Sequence, residues 1–328
     1  MQHQITPKGL VMRVRASAAA LLAAALLLGT PVAAHARPEL APSERSWIQW
    51  SETPLPGTTP VSVMAGSDGR VWFADFSTRL VSAYDPATGA RVTYPGSAGP
   101  VPLELVEAAD GSVWWSDELS GTVRRLDPAT GTVITAHLPV GVHPRQGTAV
   151  GDGSTWWGTD VAGTVAHVSP DGLVSLSSVA WSAAPSDIAV GADGRLWMIT
   201  TGGTTVAAFD PASGAFDEYS AGVGWASALE RGSDGAVWVS DGFALVRVDT
   251  SGGSLRVPVP RGEYVVDLSE GGPGVILLDS AGRVLTATAA GTALAATTAF
   301  TSRAESLSTS PSGVTWFALP LSAALAAG

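Results

Sequence analysis

The chain has 328 residues, a formal net charge of −11 at pH 7 and no cysteine. The excess of carboxylates repels nucleic-acid phosphates and anionic lipid heads, so we expect neither nucleic acid nor a membrane surface as a partner. Without cysteine, the sequence excludes disulfides, thiolate metal sites and a cysteine nucleophile.

The N-terminal residues have the pattern of an export signal. Arg13 and Arg15 precede an apolar run from Ala18 to Leu28, and Ala34-His35-Ala36 offers a cleavage site with small residues. The apolar run is too short to cross a bilayer as a helix. The sequence therefore predicts a signal peptide over residues 1–36 and a secreted protein that is free of the membrane after cleavage. An uncleaved N-terminal anchor is the alternative.

A glycine turn followed by an aromatic strand recurs seven times in the rest of the chain. The first copy is Asp68-Gly69-Arg70-Val71-Trp72-Phe73. Separately, Met12 is an alternative start for the predicted signal peptide. We call the fifth residue of each copy, Trp72 in the first, its lead position. The seven lead positions are spaced by 39 to 42 residues and are 72, 114, 156, 197, 238, 277 and 316. A period near 40 with short strands and glycine turns is typical of propeller blades. We therefore predict an all-β fold, a single seven-bladed β-propeller over residues 37–328.

Each repeat divides into four antiparallel strands, as the first one illustrates. Its predicted strands, separated by turns, are Val61–Ala65, Val71–Asp75, Leu80–Tyr84 and Arg91–Tyr94. The segment Trp47–Trp50 has the place of an outer strand with no blade before it, and the chain ends about where a third strand would finish. We expect this N-terminal strand to join the C-terminal blade and close the ring.

Candidate ligand-binding residues lie where the first strand of a blade begins. The first and second strands form a hairpin whose open end faces one mouth of the central channel, a favoured place for ligands. The candidates are His143, Arg145, Trp225, Tyr264, Arg303 and Glu305. The first two can meet an anion or move a proton, and the later four offer aromatic and charged walls for an amphipathic ligand. Solvated or packed loop residues are the alternative interpretation.

Three aspartates share one blade position at the end of the second strand: Asp75, Asp117 and Asp241. Carboxylates at such a position can line the mouth or hold a hard divalent cation, Mg²⁺ or Ca²⁺. Capping of the strand ends explains the same repetition without a metal. No other cofactor is predicted.

The motif Pro-x-x-x-x-x-Gly-x-Asp-Gly-x-Val-Trp-Phe-x-Asp, at Pro60 to Asp75, resembles the repeat of the streptogramin (virginiamycin B) lyase family. The resemblance covers the chain after the leader. It implies a seven-bladed propeller and a magnesium-assisted lyase that opens a cyclic depsipeptide by elimination across its ester bond, without water.

The resemblance also implies catalytic positions, and this chain differs at each of them. The two histidines of the family fall on Val266 and Glu305, and its metal-binding glutamates fall on Arg303 and Leu319. No histidine follows His167.

We therefore predict a secreted propeller that lacks the catalytic histidines of the family. It is expected to be a monomer that binds a small molecule, peptide, glycan or protein at its mouth. A diverged metal-assisted C–O lyase or lactone-opening enzyme is one alternative, and a purely structural role in the cell envelope is another.

Overall fold

The computed structural model describes residues 50–97, 99, 104–259, 263–297 and 302–328. The predicted signal peptide and Trp47 lie outside them. No helix in this part of the chain is long and apolar enough to cross a membrane.

The predicted propeller is confirmed: seven sheets each contain four antiparallel strands. Blade 1 comprises β2 (Pro60–Ala65), β3 (Val71–Asp75), β4 (Leu80–Tyr84) and β5 (Arg91–Tyr94). Blade 2 comprises β6 (Val106–Glu107), β7 (Val113–Asp117), β8 (Thr122–Leu126) and β9 (Val133–His137). Blade 3 comprises β10 (Pro144–Ala149), β11 (Thr155–Thr159), β12 (Thr164–Val168) and β13 (Val174–Ser178).

The later blades follow the same order. Blade 4 comprises β14 (Asp187–Val190), β15 (Leu196–Ile199), β16 (Val206–Phe209) and β17 (Phe216–Tyr219). Blade 5 comprises β18 (Ala228–Arg231), β19 (Val237–Ser240), β20 (Ala244–Val248) and β21 (Ser254–Pro258). Blade 6 comprises β22 (Val265–Gly271), β23 (Gly274–Asp279), β24 (Arg283–Thr288) and β25 (Gly291–Thr297). The first strands of successive blades contact each other from blade 2 through blade 7 and on to blade 1, and they surround the channel.

The N-terminal strand closes the ring, as predicted. Blade 7 consists of β26 (Ser306–Thr309), β27 (Thr315–Leu319), β28 (Ala324–Ala327) and, at its outer edge, β1 (Ser51–Pro54). Strand β1 pairs antiparallel with β28, and it begins just after the predicted segment 47–50. The ring of Trp50 packs edge-on against Phe317, with 4.9 Å between the centroids.

The Asp-Gly turn recurs at the surface of the blades, and in blade 4 its aspartate contacts a tryptophan of the core. Gly194 has φ = 78°, a backbone conformation that side chains rarely adopt, and so the turn requires glycine. The carboxylate of Asp193 accepts hydrogen bonds from the backbone of Arg195 at 3.2 Å and from the indole of Trp197 at 3.1 Å. That indole is fully buried among apolar residues of blades 4 and 5. In blade 4 the turn therefore satisfies the polar atom of the buried indole, and Asp234 does the same for Trp238 in blade 5 at 3.1 Å.

Side chains of the innermost strands link neighbouring blades around the channel. Asp187 of blade 4 accepts a hydrogen bond from the backbone N–H of Leu229 in blade 5 at 2.8 Å. The equivalent Asp267 of blade 6 accepts one from Leu307 of blade 7 at 3.0 Å. Each bond satisfies a buried backbone N–H at the inner edge of the neighbouring sheet and connects two blades laterally.

We predict that Asp187→Ala destabilises the propeller by about 1–3 kcal/mol, since it leaves the buried Leu229 N–H without its acceptor. Urea unfolding at neutral pH measures the loss. Asp187→Asn is the matched variant, because its amide oxygen can still accept that bond, and it should lose less. Equal unfolding midpoints for wild type and the alanine variant would contradict the proposed lateral link.

Candidate functional site

The mouth of the channel is formed by the loops between blades and by the turns that follow each second strand. The innermost strand is irregular there in blades 1, 3 and 6, where the register shifts by one residue at Pro60/Ser62, Pro144/Gly147 and Val265/Asp267. Such bulges bend a strand and redirect a side chain. Arg145 lies within the bulge of β10.

His143 and Asp160 form a hydrogen-bonded pair at the mouth. Asp160 Oδ1 accepts the backbone N–H of His143 at 2.8 Å, and Oδ2 lies 2.6 Å from His143 Nδ1. The imidazole side chain is 42% exposed. Burial raises the pKa of Asp160, but the hydrogen bonds from His143 and the positive charge of Arg145 outweigh it, so the pKa is lowered. Asp160 is therefore ionised beside a solvent-accessible imidazole.

Arg145 makes a second pair across the boundary between two blades. Its Nη1 lies 3.0 Å from Oε2 of Glu118, which directly follows β7 in blade 2. Together His143, Asp160, Arg145 and Glu118 form what we call the blade 2–3 cluster. The sequence predicted the histidine and the arginine, whereas their two acidic partners were missed.

Trp225 lies on the blade 5 side of the mouth with 44% of its surface exposed. Its indole covers Gly202 of the blade 4 turn, where an added Cβ would lie 3.2 Å from the ring. Asp241 holds the loop by accepting the backbone N–H groups of Gly224 and Trp225, at 2.7 and 2.5 Å. Its other oxygen pairs with Arg256.

Tyr264 and Arg303 contact each other at the boundary between blades 6 and 7. Arg303 Nη2 donates to Tyr264 Oη at 3.0 Å, and the guanidinium carbon lies 6.0 Å from the ring centroid. Glu305 is partly exposed, and its carboxylate has no hydrogen-bond or ion-pair partner among the residues that the structure describes. Val266 and the fully buried Leu319 belong to the apolar packing between blades 6 and 7.

The three predicted metal-binding aspartates lie at the ends of the second strands of three separate blades and make capping contacts. Asp75 accepts the backbone N–H groups of Thr59 at 2.7 Å and Ser77 at 2.9 Å. Burial raises its pKa, but hydrogen bonds from Thr78, Thr59 and Ser77 outweigh this and lower it. Asp117 accepts the N–H of Leu119 at 3.0 Å. Within the described ranges, no three His, Cys, Asp or Glu residues are placed to hold a metal ion.

The alignment of blade 6 by sequence is wrong by one residue. Asp267 pairs with Leu278, as Asp187 pairs with Ile199 in blade 4, so the lead position of the repeat is Ile276 and not 277. The second strand of blade 6 consequently ends at Asp279, three residues after the corrected lead position. Asp279 is buried and forms an ion pair with Arg283 at 2.6 Å.

Glu230 is an ionisable residue of the innermost strands that sequence reasoning missed. It belongs to β18, and Oε1 accepts the backbone N–H of Arg231 at 3.0 Å. Desolvation of this partly buried carboxylate by the surrounding strands, together with the negative charges of Glu104, Asp187 and Glu270, raises its pKa well above the usual range.

Comparison with known proteins agrees with the seven-bladed propeller fold. A model of the virginiamycin B lyase family matches residues 43–294. The chain belongs to this family. No curated protein sequence matches it.

Solved structures show the same fold at low sequence identity. A streptogramin B lyase superposes with a TM-score of 0.74 and 18% identity, over 85% of this chain and 96% of the other. A catalytically inactive virginiamycin B lyase from Staphylococcus aureus, solved with quinupristin, gives 0.72 and 19%, over 85% and 98%. The WD40 repeats of RRP9 give 0.68 and 9%, over 85% and 96%. At these identities the likeness concerns the fold alone.

We predict that Glu230 makes the propeller less stable as the pH rises. Because its pKa is raised in the folded state, the folded form favours the neutral acid, and stability is lost as the pH increases through that pKa. Glu230→Gln should abolish this loss, so its melting temperature should exceed that of wild type at mildly basic pH and approach it at acidic pH. Asp217→Asn, whose carboxylate side chain is 58% exposed, is the control. Parallel curves for wild type and Glu230→Gln would contradict the assignment.

Proposed function

We propose that this protein is a secreted propeller that binds an amphipathic ligand, a small molecule, peptide or glycan, at the mouth of its channel. Export rests on the predicted signal peptide. The observation that carries the binding proposal is an asymmetry of exposed apolar side chains between the two faces of the ring. Of the eleven large hydrophobic side chains that are exposed in the described part of the chain, six lie on turns of the mouth face: Phe76, Leu119, Val140, Trp225, Phe243 and Leu321.

The opposite face contributes only Leu173 and Val314 from its turns, and the other three lie on outer strands. Apolar side chains gathered on one face of a soluble protein are typical of a binding surface.

Polar groups for orienting a ligand lie on the same face. The pairs His143–Asp160, Arg145–Glu118 and Arg303–Tyr264 each keep part of their surface exposed. A few fixed polar groups among apolar walls are the usual composition of a ligand site. The preformed pairs also reduce the entropy that binding would otherwise cost.

A second candidate is a diverged C–O lyase, and membership of the virginiamycin B lyase family favours it. The residues at the positions that correspond to the metal ligands of the family do not fit a divalent cation. Arg303 carries a positive charge and contacts Tyr264, and Leu319 is buried in apolar packing. We therefore derive no metal-assisted step for this chain.

For the binding function, we predict that quinupristin, the ligand named for the related S. aureus structure, raises the melting temperature of this protein. Trp225→Ala and Phe243→Ala should each reduce the shift, because they remove exposed aromatic surface from the mouth. Leu173→Ala and Val314→Ala, on the opposite face, are the matched controls and should keep it. Equal shifts in all four variants would place binding elsewhere, and no shift with quinupristin or with a panel of peptides and glycans would contradict the proposal.

The lyase candidate is tested with the same macrocycle by mass spectrometry. Elimination opens the ring without changing its mass, and a metal-assisted reaction stops when a chelator is added. If binding is the function, the ring stays closed with and without Mg²⁺. An opened product of unchanged mass that requires Mg²⁺ would instead establish the lyase.

A further inference from the structure

We propose that the blade 2–3 cluster is a metal-independent site for the hydrolysis of carboxylic esters or lactones, with His143 as the general base and Asp160 as its positioning residue. This inference rests on the proposed binding of ligands at the mouth and adds a reaction there.

The imidazole contact goes beyond what the loop needs for its stability. In blades 1 and 5 the same kind of loop is held by a carboxylate that accepts backbone N–H groups, Asp75 from Thr59 and Asp241 from Trp225. Asp160 does this for the backbone of His143 with one oxygen. Its second oxygen is then free to orient a side chain, and in blade 3 that side chain is an imidazole.

The pair fixes both the tautomer and the direction of the imidazole. The ionised carboxylate of Asp160 can only accept a hydrogen bond, so Nδ1 of the neutral imidazole carries the proton. The lone pair is then on Nε2, which Asp160 does not contact. A carboxylate that orients a histidine in this manner is the arrangement found in histidine general bases of hydrolases.

Arg145 supplies a positive charge next to this base. It lies two residues further along in the bulge of β10, and its charge acts on Asp160. Arg145 Nη1 donates a hydrogen bond to Glu118, and the planar guanidinium has further N–H groups that can donate to a ligand. Such donors can stabilise the oxyanion that forms when an ester carbonyl is attacked.

Apolar side chains border the cluster and indicate the class of substrate. Leu119 directly follows Glu118 and is 80% exposed, and Val140 lies in the loop that leads to His143 and is fully exposed. These side chains suit the acyl chain or an apolar side chain of an ester. The site therefore favours an uncharged ester or lactone with an apolar acyl part.

The reaction balances with water as the only co-reactant. Nε2 of His143 removes a proton from water, and the hydroxide oxygen bonds to the ester carbonyl carbon to form a tetrahedral oxyanion beside Arg145. The oxyanion collapses, the bond from carbon to the alkoxide oxygen breaks, and protonated His143 returns its proton to the leaving alkoxide. The products are a carboxylic acid and an alcohol, and His143 is neutral again.

The test measures the release of 4-nitrophenol from 4-nitrophenyl butyrate in the presence of a chelator. We expect turnover by wild type, a loss of at least about 100-fold in His143→Gln, and a lower kcat with little change in KM in Asp160→Asn. His137→Gln is the matched control, because His137 is an exposed imidazole at the outer strand of blade 2. It should keep the wild-type rate. Melting temperatures check that each variant folds.

Two outcomes overturn the inference: turnover that survives in His143→Gln, or a wild-type rate no higher than that of free imidazole at the same concentration. Hydrolysis in H₂¹⁸O adds one labelled oxygen to the acid, whereas elimination adds none, so the label separates this reaction from lyase activity. Failure of the binding proposal is recognised independently. In that case Trp225→Ala and Leu173→Ala show the same shift in melting temperature with the macrocycle. This result does not depend on whether ester turnover requires His143.

Discussion

The stability of this propeller depends on apolar packing between blades. Seven clusters of buried hydrophobic residues are found in the described structure, and each takes its side chains from two neighbouring blades. A single blade therefore has no core of its own and buries its two faces only when it has a neighbour on each side. This requirement explains why the ring must close. It also gives a reason for the pairing of β1 with β28, which completes the blade that meets blade 1.

The same requirement determines how the mouth is built. Each loop that passes from one blade to the next spans an interblade core and must be held at its inner end. Carboxylates at the ends of the second strands do this in blades 1, 3 and 5 by accepting backbone N–H groups. The second oxygen of each carboxylate contacts a different group, namely Thr78, His143 or Arg256. A shared structural contact thus allows the neighbouring side chain to vary.

The sequence was sufficient to predict the architecture because most blades carry a local signal. A glycine turn, an aspartate and a following tryptophan identify five blades, and counting strands from both ends predicted the closure. Blade 6 has no tryptophan, and its run Ile276-Leu277-Leu278 contains only aliphatic residues. Since a strand alternates between two faces, no residue type there fixed the register, and the resulting slip concealed Asp279.

The site was predictable only in part, because its contacts join turns that are distant in sequence. His143 and Arg145 stood out at a strand start, and so they were identified. Asp160 follows the next strand, and Glu118 belongs to another blade. Nothing local in the sequence indicated that these carboxylates would pair with the two cations.

Because the ring is pseudo-symmetric, the backbone alone does not decide which boundary between blades holds ionisable groups at the mouth. The boundaries that the structure describes present comparable turns at the mouth, so the fold does not favour one of them for an ionisable group. In this chain the boundary between blades 6 and 7 contains Val266 and Leu319 in apolar packing, whereas the boundary between blades 2 and 3 contains His143, Asp160 and Arg145. Replacing side chains at the mouth leaves the buried indoles and glycine turns unchanged. The ionisable groups at the mouth can therefore differ from one boundary to another while the propeller stays the same.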